Sequence, residues 1–356
     1  MTARRIVVAG GGTAGHIEPA LAVAEVLRDT YDAEVTALGT EKGLETTIVP
    51  ARGFPLELIE PVPIPRKKPL KLLGVPAKLV RSVSQTRAVL KKTQADAVFG
   101  TGGYVSASAY LAATSMRIPF YVLETNALAG IANKLGVKLG GTGFNAVPDS
   151  GMPGEVLGVP VRPGVGEDPD GVKAERGYKM WNLDPQRPTV LVTGGSQGAR
   201  SINDALAGAV GRIVAAGYQV LHAYGRKNDA PQPHEHYTAV PYIDDMEAAY
   251  GVADVVICRS GAMTVAENSA AGVPAIYIPL PHGNGEQGLN SAHLVEAGAA
   301  MRIDDAALTP DALVDAVTGI LQPGGSAESM RTALSGSGAG NAAEEIARRI
   351  IGERTS

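Results

Sequence analysis

The sequence predicts an α/β protein made of two doubly wound domains facing each other across a cleft. Three observations predict it. Short apolar runs alternate with helix-like segments along the whole chain, a glycine-rich turn occurs once in each half, and a Pro/Gly-rich stretch from Gly158 to Gly171 separates the halves. At 356 residues, 45% of them hydrophobic, the chain is long enough for two cores.

The elements follow in order. Ile6–Ala9, Val35–Leu38, Ala97–Phe99 and Phe120–Leu123 read as buried strands of the first domain. Val190–Thr193, Val220–Ala223, Val255–Cys258 and Ala275–Ile278 read as those of the second. Their near-continuous apolarity suits parallel strands covered on both faces. Leu21 to Leu27 suits a helix packed on such a sheet, and strand–helix alternation gives doubly wound domains. The first domain is expected over residues 1–162 and the second over 163–340. A last helix within 341–356 follows the Gly/Ser-rich stretch Leu334–Gly340 and is expected to cross back onto the first domain.

The glycine turns carry the chemistry. Gly10-Gly11-Gly12-Thr13-Ala14-Gly15-His16 and Gly194-Gly195-Ser196-Gln197-Gly198-Ala199-Arg200 each follow a strand and open a helix. Such a turn brings backbone close to a phosphate and aims free helix N–H groups at it, so a ligand carrying a diphosphate is the natural occupant. Gly10-x-Gly12-x-x-Gly15 also matches the dinucleotide fingerprint, but that site wants an acid closing the second strand, and Glu41 is a poor candidate for it. His16 opens the first helix, where the positive dipole end favours a neutral imidazole and hence a base. A histidine that only hydrogen-bonds locally is the competing reading. Gly102-Gly103-Tyr104 makes a third turn, either lining the same cleft or merely joining strand to helix.

Ser260 or Thr264 can cap the helix after Cys258, and Glu267 falls within its first two turns, where a carboxylate can accept both hydroxyls of a ribose. A surface glutamate stabilised by the dipole is the plain alternative. The loop His282 to Asn290 is dense in Glu, Gln and Asn, which suits either sugar hydroxyls or solvent.

Other classes are disfavoured. A net charge of −4 argues against general nucleic-acid binding. The single cysteine, Cys258, rules out an internal disulfide and a Cys-based zinc site, and reads as a buried, inert thiol of a reducing compartment. Asp168-Pro169-Asp170 spells a D-x-D metal motif but lies in the presumed linker; His234 and His236 read as surface residues, and no metal site or cofactor is expected. No signal peptide is evident, and no apolar run is long enough to span a bilayer.

Between Pro61 and Ala95 there is no acidic residue. Arg66, Lys67, Lys68, Lys71, Lys78 and Arg81 alternate there with apolar residues that include Leu72 and Leu79. Two readings fit: contact with an anionic membrane, or a solvated helix face over ordinary core.

Taken together, these segments resemble the MurG family of glycosyltransferases. The matching stretches are GGGTAGHIEPALAVAE, GTGGYVSASAYLAA, GVPVR, GGSQGAR, YIDDMEAAY, CRSGAMTVAE and GNGEQGLN, in family order over nearly the full length. GGGTAGH and GNGEQ look like the variants of actinobacterial members. The resemblance implies two Rossmann-like domains in the glycosyltransferase-B arrangement. It implies a hexosyltransferase that moves GlcNAc, with inversion, from UDP-GlcNAc to the C4 hydroxyl of MurNAc in lipid I, giving lipid II.

Carried over by motif, Thr13, Ala14 and Gly15 lie near the sugar and diphosphate, Asn126 matches a family asparagine, and Arg162 and Ser196 contact the diphosphate. Ile243 holds uracil, Ala262, Met263 and Thr264 line the nucleotide, and Glu267 takes the ribose. Glu286, Gln287 and Asn290 read GlcNAc, and His16 is the base or positions it. The resemblance favours the membrane reading, with Arg66, Lys67, Lys68, Lys71, Leu72, Leu79 and Arg81 in contact. It also implies a peripheral place on the cytoplasmic face of the membrane, with wall-synthesis and division proteins as neighbours. One departure bears on the acceptor: Leu123 stands where the family commonly has a histidine. Two other expectations compete, namely another UDP-sugar enzyme of the same fold, such as a UDP-GlcNAc 2-epimerase or a transferase with a different acceptor, and a catalytically weak UDP-GlcNAc-binding scaffold.

Overall fold

The computed structural model describes residues 3–62, 75–162, 164–195, 197–281, 285–335 and 341–352. They divide into two compact units, Met1–Arg162 with Asn341–Ser356, and Pro163–Gly340.

Unit 1 runs β1 (Arg5–Gly10), α1 (Ala14–Asp29), β2 (Glu34–Gly39), α2 (Glu45–Ala51), β3 (Leu56–Leu58), α3 (Val75–Lys92), β4 (Ala97–Gly102), α4 (Gly103–Met116), β5 (Phe120–Glu124), α5 (Ile131–Lys138), β6 (Thr142–Asn145) and β7 (Glu155–Val156). Unit 2 runs α6 (Val172–Trp181), β8 (Thr189–Thr193), α7 (Arg200–Ala215), β9 (Gln219–Ala223), β10 (Tyr237–Val240), α8 (Met246–Val252), β11 (Val255–Cys258), α9 (Ala262–Ala270), β12 (Ala275–Tyr277), α10 (Glu286–Asn290), α11 (Ala292–Glu296), β13 (Ala300–Arg302), α12 (Pro310–Leu321) and α13 (Ala327–Ser335). The last helix, α14 (Ala342–Ile351), belongs to unit 1.

Unit 1 holds a sheet in the order β3-β2-β1-β4-β5-β6-β7, and unit 2 one in the order β10-β9-β8-β11-β12-β13. All the pairings are parallel. In each sheet the order reverses beside the strand that leads into the glycine turn, between β1 and β4 and between β8 and β11. Sheets of this kind bind ligands at that switch point, beyond the carboxyl ends of the strands.

Both faces of the first sheet are covered. On one, Ile6, Val8, Phe99, Leu123 and Phe144 pack with α1 and α14 through Ile17, Leu21, Leu27, Ile346 and Ile350. On the other, Val7, Val98 and Val122 pack with α3 and α4 through Val89, Leu90, Val105 and Tyr110. Helix α1 is buried around most of its circumference because it lies between the sheet and α14. In unit 2, α7 and α12 cover one face through Ile202, Leu206, Ile213, Leu313 and Ile320.

All eight apolar runs are strands. The sequence reading misses β3, β6, β7, β10 and β13, which are short, polar or glycine-containing. The expected helix caps at Ser260 and Thr264 are not formed. Gly261 occupies the N-cap of α9 without a side-chain bond, Ser260 is fully buried one residue earlier, and Thr264 lies inside the helix.

Candidate active site

The two switch points collect the chemistry, and each can be built from its strands. In unit 1, Thr13 holds the N-cap of α1 in extended conformation and gives no side-chain bond. Its carbonyl accepts the amides of His16 (3.1 Å) and Ile17 (3.2 Å). Thr13 and Ala14 are exposed, and Gly15 and His16 half-buried.

The pairing of β1 with β4 shifts register between Ala9 and Gly10, so that Gly10 lies opposite Gly102. Thr101 uses the shift to donate its hydroxyl to the His16 carbonyl at 2.6 Å. The imidazole then lies against the third glycine turn: a Cβ on Gly102 would sit 2.9 Å from His16 Cε1 and 3.0 Å from Nδ1. Gly102 at φ +117° and Gly103 at φ +80° are glycines because a side chain there meets both positive φ and His16 or the Gly11 carbonyl. The third turn therefore packs against His16 and the first turn and does more than join strand to helix.

A buried polar network adjoins it. Glu124 accepts from the Asn126 amide (2.9 Å), the Gly130 amide (2.8 Å) and Asn133 Nδ2 (2.9 Å). Asn133 in turn accepts from the Tyr110 hydroxyl at 3.1 Å. Glu124 is 1% exposed. Asn126 thus owes its place to a carboxylate two residues before it that the sequence reading overlooked. Glu45 was overlooked as well. Glu41 is exposed, whereas Glu45 is fully buried under the first turn, bonded to the Thr40 amide at 3.3 Å and enclosed by Gly11, Gly39 and Gly43.

Leu123, where the family commonly has a histidine, belongs to the core. Its side chain is fully buried among the core residues of β5's neighbours and α1, so it presents nothing to a ligand. Leucine there is a core choice.

In unit 2, a cavity of about 680 Å³ opens at the switch point. It is lined by the second glycine turn, by Tyr242, Ile243 and Met246 before and within α8, and by Arg259, Thr264, Glu267 and Gln287. Of the residues expected to bind the donor, it gathers Ile243, Thr264, Glu267 and Gln287. Ala262 and Met263 open α9 beside it but do not line it, and Ser196 lies outside the described residues. Glu286 is half-buried on α10; Asn290, 4% exposed on the same helix, donates to the Ser260 carbonyl at 3.2 Å and ties α10 to the β11–α9 loop. Arg162, half-buried, ends the first segment of unit 1.

Helices α1 and α7 start at the glycine turns and α9 at the β11–α9 loop, each with no side-chain cap and no acid in the first turn. Away from the turns, Asp245 caps α8 and Thr309 caps α12, while α5 and α11 also lack a side-chain cap and a first-turn acid. Uncapped first-turn amides are what an anionic ligand needs. Arg259 was also missed. It is anchored to Asp305 (2.5 Å), to Ser201 (2.8 Å) and to the Ile278 carbonyl (3.1 Å), which fixes a cation on the cavity wall.

Several side readings resolve in structural terms. Asp168 of the D-x-D accepts from the amides of Lys173 (3.2 Å) and Ala174 (2.8 Å), so it caps the start of α6. Burial pushes the Cys258 thiol up to about 12, which keeps it unreactive. Among the described residues no three His, Cys, Asp or Glu side chains converge as a metal site would require, and no helix is long and apolar enough to cross a membrane. Of the proposed membrane contacts, Leu79 is half-buried and Arg81 exposed on α3. Arg66, Lys67, Lys68, Lys71 and Leu72 lie outside the described residues.

Known proteins match this arrangement. The glycosyltransferase family 28 N-terminal domain matches residues 6–140 and the family's C-terminal domain residues 189–350. A relative from Corynebacterium efficiens is 58% identical over 96% of this chain and 95% of its own. One from Nocardia farcinica is 51% identical over 97% and 95%. Both are named UDP-N-acetylglucosamine–N-acetylmuramyl-(pentapeptide) pyrophosphoryl-undecaprenol N-acetylglucosamine transferase. The crystal structure of Acinetobacter baumannii MurG superposes with a TM-score of 0.76 at 26% identity, covering 98% of this chain and 99% of that one. The chain belongs to the MurG branch of glycosyltransferase family 28. The calicheamicin glycosyltransferase CalG4, at 18% identity and a TM-score of 0.68 over the whole of both chains, shares the fold alone.

Proposed function

We propose that this protein transfers N-acetylglucosamine from UDP-GlcNAc to the C4 hydroxyl of MurNAc in lipid I, with inversion, forming lipid II at the cytoplasmic face of the membrane. The observation that carries this reading is a relative so named at 58% identity along 96% of the chain. The geometry supplies the means.

Unit 2 binds the donor. Ile243 meets the uracil, Glu267 the ribose diol, and the second glycine turn, with Ser196 and the amides of α7, the diphosphate. Thr264, with Ala262 and Met263 beside it, borders the nucleotide. Glu286, Gln287 and Asn290 read the sugar. The leaving UDP is stabilised by helix N-termini and by Arg162 as its charge develops.

Unit 1 serves the acceptor. His16 Nδ1 is buried against Gly102, so Nε2 is the nitrogen through which the ring takes the proton of the attacking hydroxyl. Thr13, Ala14 and Gly15 present backbone beside it, and Asn126 is aimed by Glu124. The basic segment with Arg66, Lys67, Lys68, Lys71, Leu72, Leu79 and Arg81 rests on anionic lipid, where lipid I is embedded.

The test is transfer of radiolabelled GlcNAc from UDP-GlcNAc to a short-chain lipid I analogue. Wild type is expected to transfer, and His16→Ala to lose on the order of 10²–10⁴-fold in kcat while retaining UDP-GlcNAc binding. Wild-type protein that binds UDP-GlcNAc but yields no lipid II overturns the reading.

A further inference from the structure

Helix α8 brings one buried hydroxyl to the donor cavity. Tyr250 is 4% exposed, lines the cavity, and donates its hydroxyl to Glu267 Oε2 at 3.2 Å. The helix that carries it is well anchored. Asp245 caps it through the Ala248 amide (3.0 Å), and Arg176 on α6 holds Asp245 at 2.7 Å. The phenol therefore approaches Glu267 from a fixed support, whereas Glu267 projects from the second turn of α9 into the cavity.

A glutamate's last torsion is soft and nearly two-fold, so each hydrogen bond to the carboxylate narrows the range of planes it samples. A ribose diol needs one plane, in which the carboxylate faces both hydroxyls. We infer that Tyr250 is a positioning residue for ribose recognition: its hydroxyl locks the plane of the Glu267 carboxylate and thereby sets the preference of the donor site for a ribonucleotide. The inference rests on the reading of Glu267 as the ribose ligand. Burial, and then the neighbouring carboxylate, push the phenol well above its ordinary value, so it is always the donor in this bond. The contribution is one of specificity. A 2′-deoxy donor offers one hydroxyl fewer to the aligned carboxylate, and a site built to bond a hydroxyl rejects the analogue that lacks it.

The experiment compares initial rates of full-length wild type and Tyr250→Phe with UDP-GlcNAc and with its 2′-deoxyuridine counterpart, on the same lipid I analogue. Wild type is expected to favour the ribonucleotide in kcat/KM by roughly tenfold or more, the value of a hydrogen bond to a charged group. In Tyr250→Phe the ratio is expected to fall about threefold to tenfold, through a raised KM for UDP-GlcNAc with kcat within about twofold. Each ratio is taken within one enzyme preparation, so loss of folded protein cancels. In a double-mutant cycle, adding Tyr250→Phe to Glu267→Gln should leave the ratio unchanged. A wild type that discriminates, with a Tyr250→Phe ratio equal to it, overturns the inference and leaves the ribose role of Glu267 standing. A wild type indifferent to the 2′ hydroxyl overturns both.

Discussion

His222 shows how much one buried side chain organises. It stands on β9, 1% exposed, with Nδ1 2.7 Å from the Tyr237 hydroxyl and Nε2 3.1 Å from Asn203 Oδ1. Asn203 gives its amide protons to the Tyr224 carbonyl at 2.9 Å, which assigns its oxygen to the histidine. The imidazole therefore carries its proton on Nε2 and accepts from Tyr237 at Nδ1. Asn228 donates to both the Tyr224 and Gln197 carbonyls, at 2.8 and 2.9 Å, so the same chain of bonds reaches the second glycine turn. Burial lowers His222 to about 4, against about 6.5 unfolded. The unfolded chain thus binds the extra proton first. The stabilisation is complete above about pH 6.5 and is lost as pH falls towards 4, at most about 3 kcal/mol in all. Denaturant unfolding of wild type between pH 7 and pH 4.5 is expected to show that slope, and His222→Gln to flatten it. An unchanged slope in the variant would assign the acid sensitivity elsewhere.

At the scale of elements, the turns were legible in the sequence and their meeting was not. Gly12 and Gly195, at φ +89° and φ +81°, are positions a turn reserves for glycine, so the motif announces itself. That His16 touches Gly102 follows from a strand pairing between residues far apart in sequence, and no local pattern encodes it. Glu124 escaped notice because a carboxylate at the end of an apolar strand looks like the start of a loop. The short strands β7 and β13 are formed by their neighbours in the sheet more than by their own two or three residues. The His16–Gly102 contact can be tested by adding one methyl group. Gly102→Ala is expected to lower kcat at least about tenfold, because the methyl must displace the His16 ring, a misplacement of the kind that costs orders of magnitude. UDP-GlcNAc binding should be unaffected. Gly53→Ala is the control. It too has positive φ, +74°, but open space for a Cβ, so it should lose stability of roughly 1 kcal/mol and keep its activity. Equal kcat losses in the two variants would remove the special meaning of Gly102.

At the scale of the molecule, helix α14 returns to the first unit. Unit 1 is built from residues on both sides of unit 2, and its core is incomplete until α14 is added. Ile346, Ala347 and Ile350 are fully buried there, Arg349 makes a bidentate pair with Glu155 at 2.8 and 3.2 Å, and Arg4 reaches the Ile350 carbonyl at 3.4 Å. The Gly/Ser-rich stretch before this helix gave a hint of the return, but only the apolar stripe of α14, spaced at 343, 346, 347 and 350, says that it must find a core. The arrangement separates two kinds of stability. Ile346→Ala or Ile350→Ala should destabilise unit 1 by about 2–5 kcal/mol, the cost of a large-to-small change in a closed core. UDP-GlcNAc at about 100 times its Kd should stabilise unit 2 by about 2.7 kcal/mol through mass action. Calorimetry of the full chain can read both. Nucleotide is expected to raise one transition, and the isoleucine substitutions to lower the other while UDP-GlcNAc binding persists. If either substitution lowers the nucleotide-sensitive transition instead, the two units unfold as one, and the last helix stabilises the donor site as well as the core it completes.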